Sequence, residues 1–192
     1  MADRPYVLLS AAVSLDGALD DRTDGRLILS GPEDLDAVDE LRAGCDAILV
    51  GAGTVRADDP RLLVRSPARR AARVARGLPE TPLRVVLSRG VLDPGAAVLT
   101  GGPPPLVLGG EPAGVLAELS ARGVGRLLVE GGASVLTAML AAGLADELRL
   151  AVAPVFVGDP AAPRLLGPAG TERARLLGVE AVGDTAVVRY GF

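Results

Sequence analysis

Three short segments of this 192-residue chain put glycines, hydroxyls or a cation directly after an apolar run. The first is Glu130-Gly131-Gly132-Ala133-Ser134. Two glycines between a strand and a helix start leave backbone N–H groups and the helix dipole open to a pyrophosphate. The same residues also suit a tight strand-to-helix turn with no ligand. The second is Gly51-Ala52-Gly53-Thr54-Val55-Arg56. It begins like a dinucleotide fingerprint, but Arg56 stands at the third glycine and no acidic residue ends the next strand, so that reading fails. The third is Ser88-Arg89, where an Arg at a strand end can pair with a 2′-phosphate. Taken alone, Arg89 reads more simply as a solvated loop residue. Asp58-Asp59-Pro60 reads first as a solvated turn, Arg42 and Arg65 as surface charges, and Cys45 as a small buried residue.

Composition narrows the chemistry further. The chain has 20 basic and 24 acidic residues, a net charge of −4, and every basic residue is Arg. Lys, His, Asn, Gln and Trp are absent. There is thus no imidazole base, no Ser-His-Asp system and no Schiff-base lysine. One Cys gives neither an internal disulfide nor a zinc site. The acidic balance argues against nucleic acid as a partner. No apolar run reaches the roughly 18 residues of a membrane span. The opening MADRPYVLLSAAVSLDGA reads as an internal first strand rather than a signal peptide, which leads to the expectation of a cytoplasmic protein.

The elements that must position these groups are read from periodicity. Residues 6–13 are apolar throughout, the mark of a strand buried on both faces. Residues 14–29 form an Asp-rich loop. Ser30 and Glu33 have capping-box spacing, and Leu35, Val38 and Leu41 come next at helical spacing up to Gly44. Residues 46–50, 83–88, 105–110 and 126–130 are further strands, and 112–122 and 133–142 are helices. Residues 55–65 are polar and Pro-broken. The Arg-rich, Pro-broken stretch 66–82 is expected to be an exposed, mobile connector, and 93–104 a loop with one short strand. Residues 147–157, 174–182 and 185–190 read as strands, the last two joined by a Gly183-Asp184 hairpin. This order predicts one α/β domain over 1–192, with a mostly parallel sheet and antiparallel strands added at one edge. Ligands of such sheets bind at the carboxyl ends of the strands, where all three chemical segments lie.

Together these residues add up to a resemblance. SLDG at 14–17, LRAGCDAILVGAGTVRADDPRLLVR at 41–65, LLVEGGASVLTAMLAAGLADEL at 127–148 and APVFVG at 153–158 resemble the reductase domain of riboflavin biosynthesis. That family includes the C-terminal half of the bifunctional deaminase/reductase and free-standing pyrimidine reductases. The resemblance covers about residues 4–190. It implies a dihydrofolate-reductase-like three-layer sandwich and NADPH as cofactor. Thr54 and Asp58 would contact the nicotinamide half, and Ala12 and Ile28 would line the cofactor channel. Ser88 and Arg89 would reach the adenosine 2′-phosphate. Gly131, Gly132, Ala133 and Ser134 would cradle the pyrophosphate, with Gly132 at positive φ. Arg42, Leu62 and Arg65 would hold the phosphorylated ribose. Glu130 would anchor the pyrimidine ring, so Glu130 and Asp58 are the candidate catalytic residues.

The implied reaction is NADPH-dependent reduction of a ribosylamino-pyrimidine 5′-phosphate, deaminated or not, with hydride delivered to the sugar C1′. Family members are usually homodimers, and the apolar C-terminal strands would supply that interface. The chain departs from the family at Ala18, where Lys or Arg usually comes after SLDG, and at Ile28, where many members have Trp. Arg26 is a candidate replacement for the missing cation. Two other readings therefore stay open: a paralogue reducing another pteridine-like or carbonyl substrate, and a non-catalytic NADPH-binding dimeric sensor or scaffold.

Overall fold

A computed structural model describes residues 4–23, 27–165 and 173–192; Arg26 lies outside them. Eight strands form one sheet: β1 (Tyr6–Val13), β2 (Ala47–Gly51), β3 (Leu83–Leu87), β4 (Leu106–Leu108), β5 (Arg126–Gly131), β6 (Glu147–Val152), β7 (Arg175–Val182) and β8 (Thr185–Gly191). Among the described residues six helices accompany them: α1 (Pro32–Ala43), α2 (Ala52–Asp58), α3 (Pro67–Ala75), α4 (Ala97–Thr100), α5 (Pro112–Ala121) and α6 (Ala133–Ala141). The spatial order is β4-β3-β2-β5-β1-β6-β8-β7. All pairs from β4 to β6 are parallel, and β8 and β7 add antiparallel.

The continuous apolar strands are explained by helices on both faces. On one face Val7, Leu9, Leu49, Val85, Leu127 and Val129 meet α5 and α6 through Leu116, Leu119, Leu136 and Met139. On the other, Ile48, Val50 and Val86 pack with Val55 of α2, Leu62 and Val98. Leu8 and Leu128 meet Cys45 and Leu41 of α1 on that same face. The three layers match the predicted sandwich.

Several local expectations are corrected. Ser30 does not cap α1: the N-cap is Gly31, without a side-chain bond, and Pro32 opens the helix. The polar, Pro-broken stretch 55–65 begins as helix: Val55 to Asp58 belong to α2, which starts directly at the end of β2 and closes on Asp59 at φ 43°. The stretch 66–82 is largely exposed as expected but is not irregular: it carries α3, which Ser66 caps by accepting from the Arg69 N–H. Arg73 turns inward: it is buried and donates to the carbonyls of Ala43, Cys45 and Pro79, while Arg76 stays exposed. Within 93–104 the short element is a helical turn, α4. The strand expected over 147–157 stops at Val152, where pairing with β8 ends.

Every parallel strand presents its carboxyl end at one edge. β5 sits between β1 and β2, so Gly51 at the end of β2 lies against the start of α6. A Cβ on Gly51 would come within 2.8 Å of Val135 Cγ2. Gly51→Ala is therefore expected to destabilise the fold by about 1–3 kcal/mol through overpacking. Urea unfolding checks this, and Val135→Ala should cost less in the Gly51→Ala background than alone. Strictly additive costs would show that the contact is not the cause.

Candidate active site

The carboxyl edge is crowded where β2 meets β5. The register shifts between Leu49 and Val50, which aligns Val50 with Gly131. Gly131 adopts φ 122°, a conformation open to glycine. Gly132, expected at positive φ, has φ −76° and serves as the N-cap of α6. Its constraint is space: a Cβ there would lie 3.0 Å from Thr54 Oγ1. Gly131 and Gly132 thus lie against Thr54, one held to glycine by its backbone conformation and the other by space. No side chain caps α6, so its first N–H groups remain for another acceptor.

Beside this junction, at the end of β3, the Ser88 hydroxyl donates to the Gly90 carbonyl at 2.8 Å and accepts from the Gly90 N–H at 3.2 Å. That turn leaves Arg89 exposed, and no hydrogen bond or ion pair holds it among the described residues. On the other side, half-buried Ala12 lies near the end of β1, paired with Ala151. Ile28 is 64% exposed. Asp58 ends α2, while its neighbour Asp59 accepts the Ala97 N–H at 2.7 Å and so is not a purely solvated carboxylate.

Glu130 points to the α1 face of the sheet. Arg42 closes on it with Nε to Oε1 and Nη2 to Oε2, both at 2.6 Å. Arg42 Nη1 donates to the Leu63 carbonyl at 3.1 Å. The two side chains are 16% and 12% exposed, which overturns the reading of Arg42 as a surface charge. Burial works against the Arg42 cation, but the charge and hydrogen bonds of Glu130 outweigh it and hold the pKa above the usual guanidinium value.

Arg65 lies two residues beyond Leu63. Buried Asp39 of α1 accepts from the Arg65 N–H at 2.5 Å, the Ser66 N–H at 3.0 Å and Arg69 Nη1 at 3.1 Å. Burial alone would raise the Asp39 pKa, but these donors outweigh it and the net shift is downward. The Arg65 side chain donates to the Leu35 carbonyl and is 53% exposed. It borders a groove of about 420 Å³ lined also by Pro32, Leu35, Asp36, Asp39 and Ser66. Leu62 is different: its side chain is buried in the core and its backbone is left-handed at φ 53°, so only its main chain is available to a ligand.

The SLDG loop is fastened rather than open. Asp16 accepts from the Ser14 hydroxyl and the N–H groups of Val157 and Gly158. These bonds hold its carboxyl well below the usual range. Ala18 is fully buried and bridged to Arg164, whose guanidinium donates to the Asp16 carbonyl. Sequence reasoning missed the buried pair of Arg149 on β6 with Asp34 on α1, and Asp39 itself. The available signal was Glu147 and Arg149 alternating within an otherwise apolar strand. Among the described residues no group of three His, Cys, Asp or Glu could hold a metal, and no helix is long and apolar enough to cross a membrane.

Comparison with known proteins gives a consistent answer. A family model described as the RibD C-terminal domain matches residues 5–188. A 2,5-diamino-6-ribosylamino-4(3H)-pyrimidinone 5′-phosphate reductase of Archaeoglobus fulgidus is 36% identical, over 98% of this chain and 99% of that protein. The protein of the same name from Methanothermobacter thermautotrophicus is 35% identical, over 97% and 98%. A solved structure of Acinetobacter baumannii RibD superposes with a TM-score of 0.81 at 29% identity. It covers 99% of this chain, which spans only 58% of that longer one.

The Asp39 clamp makes a pH prediction. A carboxyl whose folded pKa lies below its unfolded value of about 3.9 stabilises the fold above that value. The contribution is lost as pH falls through the lower folded value. Asp39→Asn should therefore cost about 1–3 kcal/mol at pH 7 and show a shallower loss of stability on acidification than the wild type. Urea midpoints across the acid range check this, and identical acid limbs would contradict it.

Proposed function

The chain belongs to the RibD C-terminal domain family, and on that premise we propose that it is an NADPH-dependent reductase of 2,5-diamino-6-ribosylamino-4(3H)-pyrimidinone 5′-phosphate. The fold is of the dihydrofolate-reductase-like class. The observation that carries the reading is the glycine junction at the carboxyl edge. Side chains on Gly51 and Gly132 would collide with Val135 and Thr54, and the bare backbone ends at an uncapped helix start. A diphosphate fits such a cradle.

The residues that would hold NADPH run along the strand order. Ser88 and Arg89 at β3 take the adenosine 2′-phosphate, Gly131 to Ser134 at β5 the pyrophosphate, and Thr54 and Asp58 the nicotinamide half. Ala12 and Ile28 line its channel. From β3 to β1 is three strand steps, about 14 Å at ~4.8 Å each. When bound, the cofactor supplies a hydride to the sugar C1′ after the ribosylamine opens to an imine. The chain itself orients the reactants, a task that needs neither His nor Lys. Arg65 takes the phosphate over its groove, the Leu62 main chain contacts the ribose, and Glu130 accepts hydrogen bonds from the ring.

In this reading the chain is a single reductase domain, works in the cytoplasm and pairs as a homodimer. Support for the dimer is the uncovered C-terminal sheet. Leu176 and Val179 on β7 are 55% and 65% exposed. Next to them an apolar hollow of about 490 Å³ is lined by Leu140, Leu148, Tyr190 and Phe192 among others.

The function is tested by supplying the purified substrate with NADPH and with NADH. The expected result is a ribitylamino product, with NADPH much preferred. Arg89→Ala should weaken NADPH binding by about 1.5–3 kcal/mol and leave NADH binding nearly unchanged. Equal effects on both cofactors would remove Arg89 from the 2′-phosphate site, and NADPH binding without turnover would favour a sensor.

A further inference from the structure

We propose that Arg84 is a positioning residue, holding the main chain of residues 61–63 in the form that meets the phosphorylated ribose; this rests on the reductase reading above. Arg84 sits on β3, in register with Ile48 of β2. Its side chain is only 2% exposed. Nη1 donates to the Arg61 carbonyl at 2.9 Å. Nε and Nη2 are buried and have no partner among the described residues. Burial lowers its pKa, and no acidic neighbour among the described residues opposes that shift.

A guanidinium out of water calls for a counter-charge and a full set of acceptors. Arg84 has a single carbonyl. An apolar side chain of similar length would fill the same place, on the face of β3 that also carries Val86, without that desolvation cost. The one thing the cation holds is the segment that runs from Asp59 to Leu63.

That segment is strained. Asp59 and Leu62 both have left-handed backbones, at φ 43° and 53°. Asp tolerates this form, but a leucine adopts it only where its surroundings impose it. Two contacts impose it on Leu62. Its side chain is buried in the core, and the carbonyl just before it is taken by Arg84. Asp59 is fixed in turn by accepting the Ala97 N–H. Gly102, at φ 139°, closes the arrangement from outside. A Cβ there would lie 3.5 Å from Arg84 Nη2 and 3.2 Å from Leu63 Cδ2. The bond to the Arg61 carbonyl is thus shielded from water, which strengthens it.

Stability and function therefore respond to Arg84 in opposite ways. Removing the cation relieves both its desolvation and the strain at Leu62, so the fold loses nothing. It also frees the Leu62 main chain, so the substrate loses a preorganised contact.

The experiment compares Arg84→Met and Arg84→Lys with the wild type. It measures steady-state kinetics with 2,5-diamino-6-ribosylamino-4(3H)-pyrimidinone 5′-phosphate, NADPH affinity by calorimetry, urea midpoints and limited trypsin digestion. Absence of wild-type turnover would overturn the reductase reading and this proposal together; with turnover, the variants judge Arg84 alone. Arg84→Met should raise the substrate KM about 10-fold with kcat little changed. NADPH affinity should stay within about twofold, and the urea midpoint should be unchanged or higher. Trypsin reads the segment directly, because the bond after Arg61 is itself a tryptic site. Mass spectrometry should find it cut about 10-fold faster in Arg84→Met, with cleavage after Arg126 in β5 unchanged. Arg84→Lys keeps a cation within reach of the Arg61 carbonyl and should restore both KM and resistance at Arg61. An unchanged KM, an equal loss of NADPH affinity, a lowered midpoint or failure of Arg84→Met to fold, or a lysine no better than methionine would each overturn the proposal.

Discussion

β5 enters the sheet between β1 and β2, two strands that precede it in the chain and do not pair with each other. That insertion sets the geometry of the whole carboxyl edge. The chain must leave β5 there and turn at once into α6, beside the place where β2 turns into α2. Two strand-to-helix turns then share one small volume, and only glycine fits on the approaching backbones. The same strand carries Glu130, directed to the opposite face from the one α6 covers. In the proposed function, the pyrophosphate cradle and the ring anchor thus come from adjacent residues of a single strand.

The α1 face supplies the order that the edge lacks. Asp39 gathers the backbone of Arg65 and Ser66 and the side chain of Arg69, which ties α1 to α3. Arg42, one turn later, ties α1 to β5 and to Leu63. Paired buried charges of this kind add little net stability, because desolvation offsets their attraction. What they supply here is geometry: they set where Glu130 and Arg65 stand relative to each other. With no His or Lys in the chain, arginine and carboxylate pairs are the charged pairs available for that task.

Much of the fold was legible because it rests on contiguous signals. The apolar strands, the glycines that end them and the Gly183-Asp184 hairpin are local patterns, and each strand starts close to where periodicity places it, although β6 ends five residues early. The segments 51–54, 88–89 and 130–134 are found at strand ends for the same reason. What stayed hidden depends on pairing across the chain. The arginines of α3 read as solvent-seeking because their acceptors lie on α1 and on carbonyls about 30 residues away. Arg42 read as a surface charge because its partner is 88 residues distant. Asp34 and Arg149 bury each other across 115 residues, a contact no local period can show. Ala18 read as a missing cation, yet the fold brings Arg164 alongside it from a distant segment.

In the proposed function this edge delivers a hydride to the sugar carbon of a ribosylamino-pyrimidine phosphate. The most direct measurement uses NADPH carrying deuterium at both C4 positions of the nicotinamide, turned over with 2,5-diamino-6-ribosylamino-4(3H)-pyrimidinone 5′-phosphate. The product should carry one deuterium, located at C1′ of the ribityl chain by mass spectrometry and NMR. A reduced product with no deuterium at C1′, or deuterium elsewhere in the molecule, would contradict it.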